Sequence, residues 1–355
     1  MVKLISWAIL FITIISIAIY SLFQPAENNQ AENLLQRYFN YGRSIESKLF
    51  RQVSDSNENA ADIAKAGWFQ AKNKELTISR NQQHRAIYIY GMSFSNNIGE
   101  ILAQEKALSI QVFSGPGAPL NHSYAYYKRH QPNKENDIVI LGILASSLAK
   151  LTTVTHMTSN FEAPAAHFYP RYILNDTGFL TAVNPPVDTL EGLRSSMYQQ
   201  KKWHKITQHL RKYDAYFSPV LFHQNLTDNI VYLNLIKRAL SQKYSRDILN
   251  NYHDKKGFKN TDNLIEISQK IISDFAVQVR QDNATPFIIL FNDRGYSDHL
   301  YQILAPTLKQ KQIAHYSTHK EFPADNLSYF IADGHFKPEI ERIIAKRVLT
   351  KINQM

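Results

Sequence analysis

Five short apolar runs constrain the fold of this chain more than any other feature: Ala86–Tyr90, Ser109–Phe113, Asp137–Leu144, Pro286–Phe291 and Gln312–Tyr316. Most are near-continuous in apolar residues, which is the pattern of strands covered on both faces, as in a parallel sheet. Stretches with helical period, such as Asn97–Ala107 and Ser297–Gln310, lie between them. This alternation predicts an α/β domain with three layers, α/β/α, over 85–355. The stretch from about 151 to 284 departs from the pattern. It opens with the Pro- and aromatic-rich segment FEAPAAHFYPRY and continues with helical periodicity over Glu191–Tyr213, Thr227–Tyr252 and Asn263–Arg280. It is read as a mainly helical insertion between the third and fourth strands.

Ahead of the domain, Leu4–Phe23 is 20 residues long and carries no charge. At about 1.5 Å per residue it spans roughly 30 Å, one hydrocarbon core. Gln24-Pro25-Ala26-Glu27 offers no small-x-small cleavage site, so 1–25 is expected to be an uncleaved transmembrane signal anchor. Lys3 precedes the span, and Glu27 and Glu32 follow it. That bias places the N-terminus in the cytoplasm and the domain outside it, in the periplasm if the source is bacterial. Residues 26–84 are polar, with Leu34, Leu35, Tyr38 and Phe39 at helix spacing, and read as a helical stalk or collar.

The chain has no cysteine, which excludes disulfides, a thiol nucleophile, a lipoprotein cysteine and thiolate metal sites. Lys and Arg number 40 against 30 Asp and Glu. Such a surface attracts acidic glycans or phospholipid head groups, although an ordinary lysine-rich exterior is the better account of it. No basic run is interleaved with aromatics, so nucleic acid is not an expected partner.

Ligands of open parallel sheets bind beyond the carboxyl ends of the strands. The segment IYIYGMSFSNN, residues 87–97, puts Gly91 at the end of the first strand and Ser93 on the turn into a helix, whose free N–H groups can stabilise an oxyanion. Ser95, two residues on, would face away and serve to cap or pack. A serine needs a base. The C-terminal SYFIADGHFKPEIERIIAKRV supplies Asp333 and His335 on the loop entering a final helix that begins near Pro338. A carboxylate beside an imidazole fixes its tautomer and stabilises the imidazolium, the division of labour of a Ser-His-Asp triad.

Gly91-Met92-Ser93-Phe94-Ser95, Ser114-Gly115-Pro116-Gly117, the strand end ILGILASS and Asp333-Gly334-His335 resemble four successive blocks of the SGNH (GDSL-like) hydrolases. The resemblance covers roughly 85–150 and 285–353. It implies a flavodoxin-like parallel sheet, with Ser93 as nucleophile, His335 as base and Asp333 as its orienter. The oxyanion donors would be the N–H groups of Ser93 and of Gly117, or else Gly115. The family's Gly-Asp-Ser stands here as Gly91-Met92-Ser93, and the Asp-x-His spacing is one residue shorter than the commonest form. The asparagine of the third block is replaced by Ala145-Ser146-Ser147, so the hydroxyl of Ser146 or Ser147 is the expected substitute.

The resemblance implies an ester hydrolase that acts through an acyl-enzyme on O-acyl esters, acetyl foremost, of an extracytoplasmic glycan or lipid. An O-acetyltransferase of the same fold is the alternative, or a non-catalytic envelope protein that binds glycan or assists assembly. His156, His167, Tyr169 and Arg171 are candidates to line the cleft. No Gly-x-Ser-x-Gly elbow, Walker loop, dinucleotide glycine pattern or His-Glu-x-x-His is present. His204 and His209 are five apart, a poor spacing for one metal. Neither a cofactor nor a metal is expected.

Overall fold

A computed structural model describes residues 2–22, 38, 40–54, 62–69, 85–104, 109–130 and 135–355. Helices α1 (Val2–Leu22) and α2 (Ile45–Val53) precede strand β1 (Ala86–Gly91). Then come α3 (Ser93–Leu102), β2 (Ser109–Ser114), α4 (Leu120–His130) and β3 (Ile138–Leu144). Helices α5 (Leu190–Met197), α6 (Gln200–Tyr213), α7 (Val231–Tyr252) and α8 (Leu264–Gln281) fill the long excursion. The chain closes with β4 (Thr285–Phe291), α9 (His299–Gln310), β5 (Ala314–Ser317) and α10 (Pro338–Asn353).

The five strands form one sheet in the order β2-β1-β3-β4-β5, and every pairing is parallel. The order reverses at β1, so the crevice between the carboxyl ends of β1 and β3 is the topological switch point, where ligands of such sheets bind. The near-continuous apolar character of the strands has its cause in the two faces they cover. Tyr88 and Tyr90 of β1 enter a core with Tyr127 of α4, Phe275 of α8 and Leu304 of α9. Ile87 and Ile89 enter the opposite core with Ile98 of α3 and Ile344 of α10. Helices on both faces are compatible with a three-layer arrangement.

The excursion between β3 and β4 builds a third core, in which Trp203, Leu210 and Phe222 meet Ile45, Leu49 and Trp68 from the N-terminal side. Its last helix, α8, leaves that core and packs on the sheet through Ile271, Phe275 and Val279. Most of the expected stalk at 26–84, with Leu34, Leu35 and Phe39, lies outside the described residues. Its described parts, α2 and the segment around Trp68, are buried against the excursion.

Helix α1 covers most of the expected membrane span, and Leu4, Trp7 and Phe11 are exposed on it. Its side chains are described over 3–19 and at 21. Among the described residues no helix is long and apolar enough to cross a membrane.

Candidate active site

Ser93 is the first residue of α3, two residues beyond the end of β1, and is half-buried. Its Oγ lies 2.7 Å from Nε2 of His335. Nδ1 of His335 lies 3.1 Å from Oδ1 of Asp333, and the same oxygen accepts the backbone N–H of His335 at 3.0 Å. Three residues, with Ser93 242 positions before His335 in the chain, therefore form one hydrogen-bonded line. The N–H of His335, followed by its imidazole, holds the Asp333 carboxyl below its ordinary value, so it stays ionised beside the ring.

The loop that carries the pair is fixed by packing. Phe336 is buried, stacks on Phe330 with 4.8 Å between centroids and meets the edge of Phe94 at 5.7 Å. Gly334 takes φ +96°, which folds Asp333 back under the following N–H. This turn accounts for the short Asp-x-His spacing. Pro338 opens α10, and Glu341 of that helix accepts from the side chain of Asn97 in α3 at 2.7 Å, tying the helix that begins at Ser93 to the one that follows the His335 loop.

Ser95 points away from this line. It is fully buried, and a Cβ on Gly91 or Gly142 would fall 2.1 or 1.9 Å from its Oγ. The side chain fills the notch those two glycines leave in β1 and β3. It packs and does not cap: its Oγ has no hydrogen-bond partner among the described residues.

The loop after β2 is drawn against the β1 turn by the Gly115 N–H, which donates to Gly91 O at 3.3 Å. That bond leaves Gly115 no N–H for a substrate. Gly117 is half-buried with φ +60°. After β3, the Ser146 N–H donates to Oδ1 of Asp293 at 3.0 Å, and its hydroxyl bonds the same carboxylate. The Ser147 hydroxyl donates to Leu144 O at 2.8 Å. Both serines offered as substitutes for the asparagine are thus committed to protein acceptors. Asp293 is buried, which raises its carboxyl to about 6 against the pull of the Ser146 bonds.

A scan against protein-family models finds no match, and a search of curated proteins finds no similar chain. The site is therefore read from its geometry.

Of the four residues expected to line the cleft, the structure brings one to the strand-end edge. His156 lies over Gly117, as described below. His167 and Tyr169 are fully buried, and the Tyr169 hydroxyl pairs with that of Thr153 at 2.6 Å. Arg171 donates to Tyr213 O at 2.9 Å and lies 3.7 Å from Asp262. Sequence reasoning gave no role to Asp293, or to Phe94, whose ring stacks on His335. A carboxylate two residues past β4 was the available signal for the first. The second is an aromatic next to Ser93 in the chain.

Proposed function

We propose that the protein is a serine-dependent ester hydrolase of the SGNH type, with Ser93 as nucleophile, His335 as general base and acid, and Asp333 as the residue that orients it. The observation that carries this reading is the continuous contact from Ser93 Oγ through the His335 ring to Asp333 at the carboxyl edge of a parallel sheet. Ser93 Oγ attacks the ester carbonyl while Nε2 of His335 takes its proton. The tetrahedral oxyanion collapses, the proton passes to the departing alcohol, and an acyl-Ser93 remains. Water, deprotonated by His335, then releases the acid and restores the serine. A sugar hydroxyl in place of water makes the same cycle an acyl transfer.

The substrate class is an O-acyl ester, acetyl in the first instance, on an extracytoplasmic glycan or lipid. Partial burial of Ser93 and His335 and the exposure of Asp333 support a substrate presented on a larger molecule. The anchoring role belongs to α1, whose backbone helix is 21 residues long and whose large apolar side chains face outward. Twenty-one residues rise about 31 Å, one hydrocarbon core.

Intact-mass analysis after treatment with a fluorophosphonate tests the assignment. One adduct is expected on the wild type and none on Ser93→Ala. A full adduct on Ser93→Ala would remove Ser93 from the role. No adduct on the wild type would leave a non-catalytic binding protein as the better reading.

A further inference from the structure

The proposed cycle needs two donors for the oxyanion, and the donors expected beside Ser93 N–H are reduced. Gly115 N–H is bonded to Gly91, and both Ser146 and Ser147 hydroxyls have protein acceptors. An imidazole stands instead over Gly117, on the loop that the resemblance makes a source of an oxyanion donor. A Cβ on Gly117 would fall 2.2 Å from Nε2 of His156, so this ring nitrogen sits where only glycine leaves room, directly over the loop after β2. That loop is bonded to Gly91, two residues before the nucleophile.

His156 is held for the task. It is 3% exposed, with Nδ1 fully buried and unpartnered among the described residues. Its ring stacks on His167 with 5.5 Å between centroids and 17° between planes. His167 packs in turn on His122, whose Nε2 lies 2.7 Å from Gly67 O. The groups facing His156 are Lys150, His122 and His167; none is a carboxylate in contact with the ring. Among the described residues the cluster has no arrangement that could hold a metal ion. Burial, with Lys150 and then His122 adding to it, pushes His156 down to about 3, so the ring is neutral at any pH where the triad works. A neutral imidazole with its proton on Nε2 is an electrophilic donor of the kind that polarises carbonyls in other enzymes.

We propose that the Nε2–H of His156, seated over Gly117, donates to the oxyanion of the tetrahedral intermediate in place of a side-chain amide. This rests on the ester-hydrolase reading above and adds one catalytic residue to it. No proton is transferred by His156: the bond strengthens as the carbonyl oxygen gains charge and weakens as the intermediate collapses.

The test is p-nitrophenyl acetate turnover by the wild type, His156→Leu and His156→Gln, with fluorophosphonate labelling and thermal unfolding of each. His156→Leu is expected to lower kcat by about 10²–10³-fold with KM within threefold. His156→Gln, which keeps an N–H donor, is expected to recover at least tenfold of that loss. Should either variant fail to fold, the wild type labelled with ¹⁵N-histidine decides: the Nε2–H resonance of His156 is expected to move downfield when a trifluoromethyl ketone forms its hemiketal on Ser93. An unchanged kcat in His156→Leu, a Gln variant no better than Leu, or an unmoved resonance would overturn the inference while labelling of Ser93 leaves the hydrolase reading standing. A wild type that neither labels nor turns over would overturn both.

Discussion

The imidazole of His335 lies flat on the ring of Phe94, with 4.6 Å between centroids and 21° between planes. Phe94 adjoins Ser93 in the chain, so one helical turn supplies both the hydroxyl proposed to attack and the surface on which the His335 ring rests. Aromatic pairs of this kind contribute about 0.5–1.5 kcal/mol. Phe94→Leu keeps an apolar side chain and removes the stacking. It is expected to lower kcat/KM on p-nitrophenyl acetate by roughly 2–10-fold while Ser93 still labels. A variant as active as the wild type would show that the loop alone sets the ring.

Ser95 and Gly142 make a matched pair, and the match is testable. Gly142→Ala brings a methyl within 1.9 Å of Ser95 Oγ and is expected to destabilise by about 1–3 kcal/mol. Adding Ser95→Ala removes that oxygen, leaving Cβ to Cβ at 3.2 Å, and is expected to return a large part of the loss. Ser95→Ala alone is expected to change stability by less than about 1 kcal/mol, because the hydroxyl it removes has no bonded partner among the described residues. Urea unfolding of the two singles and the double closes the cycle. Simple additivity would contradict the contact.

Asp333 accepts two bonds from His335 yet its carboxylate is 63% exposed. Water can therefore replace part of what it does. Asp333→Asn is expected to cut kcat by about 10²–10⁴-fold, and His335→Ala to reduce acyl-enzyme formation to background. Stopped-flow acylation rates separate the two. Equal losses would mean that Asp333 does more than orient.

Asp293 gives a pH dependence whose sign can be stated. Its folded value, about 6, lies above the ordinary 3.8 because the carboxyl is buried. Between those values the folded chain holds a proton that the unfolded chain has released. Its contribution to stability therefore falls as pH rises through that window, and the cost is complete above about 6. Asn keeps an acceptor for Ser146 N–H and does not ionise. Asp293→Asn is thus expected to gain on the wild type from pH 4 to 7, by up to about 3 kcal/mol. Urea midpoints at the two ends check it, and a gain at the acid end instead would reverse the assignment.

The strands were legible because burial on both faces writes itself as apolar runs: each predicted run overlaps a sheet strand, with bounds displaced by at most two residues. The Ser93, Asp333 and His335 line was legible for a related reason. All three stand next to a boundary that punctuation marks, Gly91 on one side and Pro338 on the other. The occupancy of Ser146 and Ser147 was not legible, since a hydroxyl's acceptor depends on which strand comes alongside. Asp293 meets Ser146 across 147 residues, and no local pattern announces that. The packing of α2 and Trp68 against Trp203 and Phe222 escaped for the same cause. A polar-looking segment with few apolar residues buries them against an excursion far downstream.

Tyr38 is already fastened to the folded body, its ring under the Arg238 guanidinium of α7 at 4.7 Å, and Asn40 is buried beside it. Between Leu22, the last residue of α1, and Tyr38 there are 38 − 22 = 16 steps of chain. Fully drawn out, 16 residues reach at most about 58 Å. With α1 seated in a bilayer, that length caps how far the proposed hydrolase can stand from the lipid surface, and esters carried beyond that distance plus its own diameter are out of reach however well they fit the serine.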